Sequence, residues 1–144
     1  MDNIELTVTN IIRETHDTVS VFFEPAGNKK IIYEAGQFLT FIFHHHQEEF
    51  RRSYSFSSTP LIDHFYSITV KRIPNGEISR FFTDKLQISS KLLALPPAGR
   101  FTISTNKNSS RQIFLIAAGS GIVPIFSLLK KILHDEPKTQ VVLI

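Results

Sequence analysis

The chain has no cysteine, which excludes disulfides, thiolate zinc sites and any cysteine-ligated iron–sulfur cluster within it. It has no tryptophan and a single methionine. No apolar run is long enough to span a bilayer, and the N-terminus lacks the basic, apolar, small-residue succession of a secretory signal. Neither membrane insertion nor export is expected, and a cytoplasmic location is the default. Repeats and low-complexity tracts are missing. Charge of one sign is scarce too: 16 Lys and Arg stand against 13 Asp and Glu, a formal +3. Spread along the chain, that excess favours anionic ligands weakly and gives no ground for nucleic acid as a partner.

What is present points to a soluble globular protein, with 42% hydrophobic and 20% charged residues. Thirteen phenylalanines suggest a core filled by benzyl rings. The 144 residues have room for one domain, or for one domain and part of a second.

The first hundred residues read as short strands. Glu5–Ile12 and Thr18–Phe23 alternate around a turn at Thr15–Asp17 and form a hairpin. Gln37–Phe43, the run Arg51–Pro60 and His64–Arg72 are the third, fourth and fifth strands, and Pro74-Asn75-Gly76 ends the fifth. The spacing then turns helical: Ile78, Phe81, Phe82 and Leu86 form a stripe suited to capping one end of a barrel. Lys91–Leu95 resumes the sheet, Pro96–Gly99 turns it, and Arg100–Ile103 completes the sixth strand. These segments predict a mainly β fold, a six-stranded antiparallel Greek-key barrel with a capping helix, over residues 1–106.

Beyond a polar linker the pattern changes. Gln112–Ala118 is a nearly continuous apolar run, as in a strand buried on both faces of a parallel sheet. A helical stripe of Ile125, Phe126, Leu129, Ile132 and Leu133 follows, then the apolar run Gln140–Ile144. Residues 111–144 thus predict a single βαβ unit.

Three stretches carry chemistry. In the fourth strand, alternation sets Arg52, Tyr54 and Phe56 on one face and Ser53, Ser55 and Ser57 on the other. A guanidinium, a phenol and hydroxyls so placed suit a flat ligand bearing phosphate; an exposed strand with a surface Arg and a packed Tyr is the plainer reading. Gly76-Glu77-Ile78-Ser79 offers an anion site at a helix start, where Ser79 also serves as an ordinary cap. Gly119-Ser120-Gly121-Ile122-Val123-Pro124 lies between a strand and a helix. Its glycines admit a phosphate to the helix N-terminus, Pro124 fits the first turn, and a tight strand-to-helix connection explains it nearly as well. His44-His45-His46 is not a metal site, because consecutive strand residues point to opposite faces and Gln47 and Glu48 complete nothing.

In order, these pieces resemble the flavin half of the ferredoxin-NADP reductase superfamily. The family's Arg-x-Tyr-Ser signature stands as Arg52-Ser53-Tyr54-Ser55, its Gly-x-x-Ser element as Gly76 to Ser79, and its Gly-x-Gly-x-x-Pro turn as Gly119 to Pro124. Ser67–Arg72, Pro96–Phe101 and Ala117–Gly121 are similar to reductase subunits that serve multicomponent oxygenases, especially the phenylacetyl-CoA type.

The resemblance implies a flavin, FAD ahead of FMN, with NAD(P)H as co-substrate. By it, Arg52 holds the pyrophosphate, Tyr54 lies against the isoalloxazine and ribityl chain, and Ser55 approaches flavin N5, making Tyr54 and Ser55 the catalytic pair. Ser53 belongs to the same signature. Val70 and Lys71 lend backbone contacts, and Gly76, Ile78 and Ser79 complete the pyrophosphate site. Gly119, Ser120, Gly121 and Pro124 receive part of the nicotinamide dinucleotide. The implied activity passes electrons from reduced nicotinamide, which gives them as a pair, through FAD to an iron–sulfur protein or domain or an oxygenase component, one at a time. A non-enzymatic β-barrel module for an anionic partner is the alternative.

The family's nucleotide half needs more strands than the two found here, so the chain reads as a truncated reductase with little turnover of its own. Uncovered apolar residues at Phe114, Ile116, Val141 and Leu143 then lead to an expectation of either self-association through this half or poor order from about residue 112 onward.

Overall fold

The computed structural model describes residues 3–45 and 48–144. Alternating β-branched and aromatic residues build the strands β1 (Ile4–Thr15), β2 (Thr18–Pro25), β3 (Phe38–His45), β4 (Glu48–Ser55), β5 (Tyr66–Lys71) and β6 (Lys91–Ala94). They form one antiparallel sheet in the order β4-β3-β6-β1-β2-β5. The late strand β6 lies between β1 and β3, the crossover of a Greek key.

The inward residues Leu6, Val8, Val21, Phe23, Leu39, Phe41, Phe56 and Ile68 are buried in a single core. Edge-to-face and tilted rings fill it: Phe23 meets Phe41 at 6.3 Å and Phe56 at 6.5 Å, while Tyr33 stacks on Phe56 at 3.9 Å. Such ring pairs add to the stabilisation from area burial.

The expected barrel is not closed. The edge strands β4 and β5 meet at an isolated bridge between Phe56 and Ile68, where Ser57 N–H donates to the Ser67 carbonyl at 2.9 Å. No ladder joins the strands.

Residues Arg100–Ile103 also depart from expectation. The chain follows β3 as far as Ala98, which exchanges two backbone hydrogen bonds with Phe38. It then leaves the sheet through Gly99 (φ 119°) and crosses Gly36. A Cβ at Gly36 would stand 1.9 Å from the Phe101 carbonyl oxygen, so that crossing requires glycine.

After the Pro74-Asn75-Gly76 turn, α1 (Glu77–Arg80) continues as a π-helical turn over Phe81–Lys85. Its stripe caps the sheet's open end as expected. Phe82 is buried and meets Phe41 at 5.4 Å and Tyr54 at 5.0 Å.

The second unit comprises β7 (Gln112–Leu115), a 3-10 turn at Gly119–Gly121, α2 (Ile122–Asp135) and β8 (Gln140–Leu143), with β7 and β8 parallel. The strand is shorter than the apolar run, ending at Leu115. Leu115, Ile125 and Ile132 form its core, with Ile113, Leu129 and Val141 packed on them. Val141 is therefore covered by the helix, while Phe114 and Ile116 on the other face are 57% and 72% exposed. Within α2 the buried stripe is Val123, Ile125, Leu128 and Ile132; Phe126 and Leu133 face outward.

The two units share a polar seam. Ser127 Oγ donates to the Ser58 carbonyl at 2.8 Å, and Thr59 Oγ1 donates to the Ser127 carbonyl at 3.1 Å. Lys130 Nζ donates to the Ser57 carbonyl at 3.1 Å and pairs with Asp63.

Candidate flavin site

Past the Phe56–Ile68 bridge the two sheet edges part. Continuing the antiparallel register would set Tyr54 opposite Val70 and Ser53 opposite Lys71, but the strands do not pair there. The signature strand thus borders an unfilled edge, where main-chain groups and side chains can meet a ligand instead of a neighbouring strand.

Cross-strand partners fix which way each signature residue faces. Tyr54 lies opposite Leu39 and Arg52 opposite Phe41, on the core side; Ser53 lies opposite Thr40 on the outside, with their hydroxyls 2.8 Å apart. The alternation read from the sequence holds through Ser55, which is opposite Phe38 and half-buried.

Tyr54 packs its ring against Phe41 and Phe82. Burial raises its phenol pKa, and the nearby Arg52 guanidinium opposes the rise; the group is a neutral hydroxyl at physiological pH. Arg52 is exposed and meets no carboxylate among the described residues; its Nη1 donates to the Arg51 carbonyl at 2.7 Å. A guanidinium without an acid partner beside a half-buried phenol is a fitting donor set for a phosphate-bearing aromatic ligand.

On the facing strand, Val70 is fully buried. The Ser67 carbonyl points at Ser57, so alternation turns the main-chain groups of Val70 towards β2 and those of Lys71 towards the open edge. Lys71 Nζ lies 3.6 Å from Asp17.

The Gly76–Ser79 turn is built from within. Ser79 Oγ accepts from Ile73 N–H and donates to the Gly76 carbonyl, both at 3.1 Å. A Cβ on Gly76 would stand 2.5 Å from that oxygen. Ser79 is buried, so its hydroxyl shapes the turn, and Ile78 packs against the core.

The glycines of the second unit differ from each other. Gly119 has φ 55°, a left-handed conformation that favours glycine, whereas Gly121 has φ −61° and ψ −18°. A Cβ on Gly121 would meet nothing within 4 Å. Neither backbone dihedrals nor crowding within the chain requires glycine at Gly121. Ser120 is exposed between them, and Pro124 lies in the first turn of α2.

His44 Nε2 is 3.7 Å from Glu49; His46 and Gln47 lie outside the described residues. Polar groups that sequence reasoning missed are Ser58, Thr59, Ser127 and Lys130 in the seam, and Glu136. The Glu136 carboxylate accepts from Arg111 Nε at 3.0 Å and Nη2 at 2.8 Å, from Thr139 Oγ1 at 2.7 Å and from Asn106 N–H at 3.0 Å. The Arg111 bonds, first, and the Thr139 bond lower its pKa to about 2. Their sequence signals were slight: small hydroxyls in a signature otherwise read for its ligand, and one acid after a helix.

The pattern of the family described as the oxidoreductase FAD-binding domain matches residues 5–103. The chain belongs to this family. It is 37% identical over 134 residues to the ferredoxin reductase component of 3-ketosteroid-9-alpha-monooxygenase from Rhodococcus rhodochrous, covering 91% of this chain and 37% of that protein. It is 32% identical over 141 residues to a subunit of 1,2-phenylacetyl-CoA epoxidase from Escherichia coli, covering 96% and 39% respectively. The chain therefore spans under two fifths of the length of these relatives. A cytochrome P450 reductase from Amycolatopsis superposes with a TM-score of 0.81 at 23% identity, over 99% of this chain and 42% of that one, a likeness of fold. The cofactor of this FAD-binding oxidoreductase domain is FAD, and the open edge with Arg52 and Tyr54 suits it.

Proposed function

We propose that this chain forms the FAD-holding part of an NAD(P)H-dependent reductase that delivers electrons to an iron–sulfur or oxygenase partner. The observation that carries this reading is the unpaired edge between β4 and β5, bordered by an arginine with no carboxylate partner among the described residues and a half-buried phenol. Bound FAD supplies hydride acceptance from a nicotinamide and single-electron delivery to an acceptor.

The chain's own residues bind and orient. Arg52 neutralises the diphosphate, Tyr54 offers its ring and a neutral hydroxyl, and Ser55 hydrogen-bonds at the ring edge. Ser53 keeps its outward bond to Thr40. Lys71 presents main-chain groups, and Val70 holds β5 in the sheet beside it. Gly76 and Ser79 set the turn that brings the amides near Ile78 to the diphosphate. Residues 1–106 are the flavin unit, and residues 111–144 begin the nucleotide unit, where Gly119, Ser120, Gly121 and Pro124 receive the dinucleotide's phosphate.

The names of the relatives in Rhodococcus rhodochrous and Escherichia coli support an oxygenase component as the partner class. No described helix is long and apolar enough to cross a membrane, and the reading keeps a cytoplasmic setting. Exposed Phe114 and Ile116 form the surface for the expected self-association.

The experiment is reconstitution with flavin. Purified chain incubated with FAD and desalted is expected to stay yellow; a colourless product overturns the reading and favours a non-enzymatic module.

A further inference from the structure

Just past Ser55 the chain is held from both sides. The N–H groups of Ser57 and Ser58 donate to the Ser67 carbonyl of β5 at 2.9 and 3.4 Å, and the Ser57 and Ser67 hydroxyls lie 2.8 Å apart. The carbonyls of the same two residues accept instead from α2: Lys130 Nζ reaches Ser57 at 3.1 Å and Ser127 Oγ reaches Ser58 at 2.8 Å. The flavin sheet thus supplies the acceptors, and the helix of the second unit supplies the donors. Lys130 is itself fixed. It pairs with Asp63, whose carboxylate accepts from Thr59 N–H at 2.7 Å, and its ammonium stands 5.3 Å from the centre of the Phe126 ring.

The Lys130 and Asp63 side chains are 24% and 15% exposed. An ion pair so enclosed adds little net stability, because the cost of desolvating both charges offsets their attraction; what it fixes is geometry. That geometry bears on Ser55. Ser55 and Ser57 share a strand face, about 7 Å apart, and Phe56 between them is pinned inward, fully buried and bridged to Ile68. The strand end pivots on Phe56, so the place where the Ser57 carbonyl is held sets the direction of the Ser55 hydroxyl. The same helix carries the Gly119–Pro124 turn at its N-terminus, about two turns before Lys130.

We infer that Lys130, held by Asp63, is a positioning residue for the flavin reaction: through the Ser57 carbonyl it aims Ser55 and keeps it in one frame with the nucleotide turn. The inference rests on the flavin reading above, and adds to it two residues that touch neither cofactor nor nucleotide.

The test compares wild type, Lys130→Arg, Ser55→Ala, the neutralised pair Asp63→Asn/Lys130→Met and the triple variant that adds Ser55→Ala to that pair. Removing both charges together leaves neither buried alone. Each protein is titrated with FAD, and the visible spectrum and midpoint potential of the bound flavin are recorded beside a thermal melt. The neutralised pair should still bind FAD, since Arg52 and Tyr54 are untouched. Its ratio of oxidised to reduced FAD affinity, which the potential reads, should change by about 2- to 12-fold, the worth of one hydrogen bond at the ring edge, and in the direction of Ser55→Ala. The triple variant should match Ser55→Ala, as expected of residues that act through one another. Lys130→Arg, which keeps the cation and its N–H donors, should keep the wild-type spectrum and potential.

A neutralised pair with wild-type spectrum and potential overturns the inference whatever its melting temperature, and so does an effect that adds in full to that of Ser55→Ala; the flavin reading survives both. If the neutralised pair does not fold, Asp63→Asn alone, which releases Lys130 from its partner, carries the same expectation and the same refutation. Failure of wild type to bind FAD overturns the flavin reading and this inference with it.

Discussion

Phe56 faces Ile68 at the point where the two edge strands of the sheet touch, and both side chains are fully buried. On one side of this contact the strands are stitched through Ser57 and Ser67; on the other they diverge and leave the signature residues facing open space. Phe56 also carries the stacked ring of Tyr33. Replacing it with alanine should lower unfolding free energy by about 3–5 kcal/mol, the cost of emptying a core phenylalanine site. Denaturant unfolding measures this, and a loss below about 1 kcal/mol would contradict the structural role.

Arg52→Ala should reduce FAD affinity by roughly 10- to 150-fold, corresponding to about 1.5–3 kcal/mol for one charged hydrogen-bonding group. Arg52→Lys should recover only part, since an ammonium lacks the planar fork. Unchanged retention of FAD by the alanine variant during gel filtration would refute the diphosphate assignment.

The two glycines of the second unit should respond oppositely to alanine. Gly121→Ala has ordinary helical dihedrals and free space, so stability should hold or rise by up to about 1 kcal/mol, while NAD(P)H binding weakens. Gly119→Ala should cost about 1–2 kcal/mol for its left-handed backbone. Thermal melts and nucleotide titrations separate the effects; a destabilised Gly121→Ala protein would argue against the ligand explanation.

The Glu136 carboxylate has its pKa lowered from 4.5 to about 2. A depressed carboxylate stabilises the fold above its unfolded pKa, and that contribution fades as pH falls from about 4.5 towards 2. Wild type should exceed Glu136→Gln in stability at pH 7, with the difference shrinking by pH 3. A difference that stays constant across this range would show that Arg111 is not held through the charge.

Sedimentation of wild type against Phe114→Ser/Ile116→Ser tests the exposed face of the second unit. Association in wild type that the double variant lacks is the expected result. Monomers at high concentration in both would remove this surface as a contact between copies.

Much of this was legible because strands betray themselves by alternation. The opposite faces of Tyr54 and Ser53 follow from period two alone, and the capping stripe of Phe81 and Phe82 from helical spacing; the register that sets Leu39 against Tyr54 does not. Closure was not legible, because whether β4 and β5 pair depends on how far the sheet curls, a property of the whole core. Arg100–Ile103 has strand composition, yet the fit of Phe101 over Gly36 draws it off the sheet. Phe126 and Leu133 look like core residues, but neighbouring surfaces choose which stripe of α2 is buried. The seam escaped notice because serine and threonine carry no periodic signal; their burial becomes visible only when Ser127 is set against Ser58.

That seam changes where the molecule can be divided. The polar stretch near residue 106 marks a border in composition, but the interlocking of Ser57, Ser58, Thr59 and Asp63 with Ser127 and Lys130 ignores it. At the other end of α2, Asp135 accepts from Thr105 at 2.7 Å and Glu136 grips Asn106 and Arg111. One helix is therefore moored both to the loop that follows the signature strand and to the linker. A flavin unit cut out at residue 106 would lose the wall behind Ser58 and Thr59, and the geometry a few residues beyond Ser55 would be free to drift.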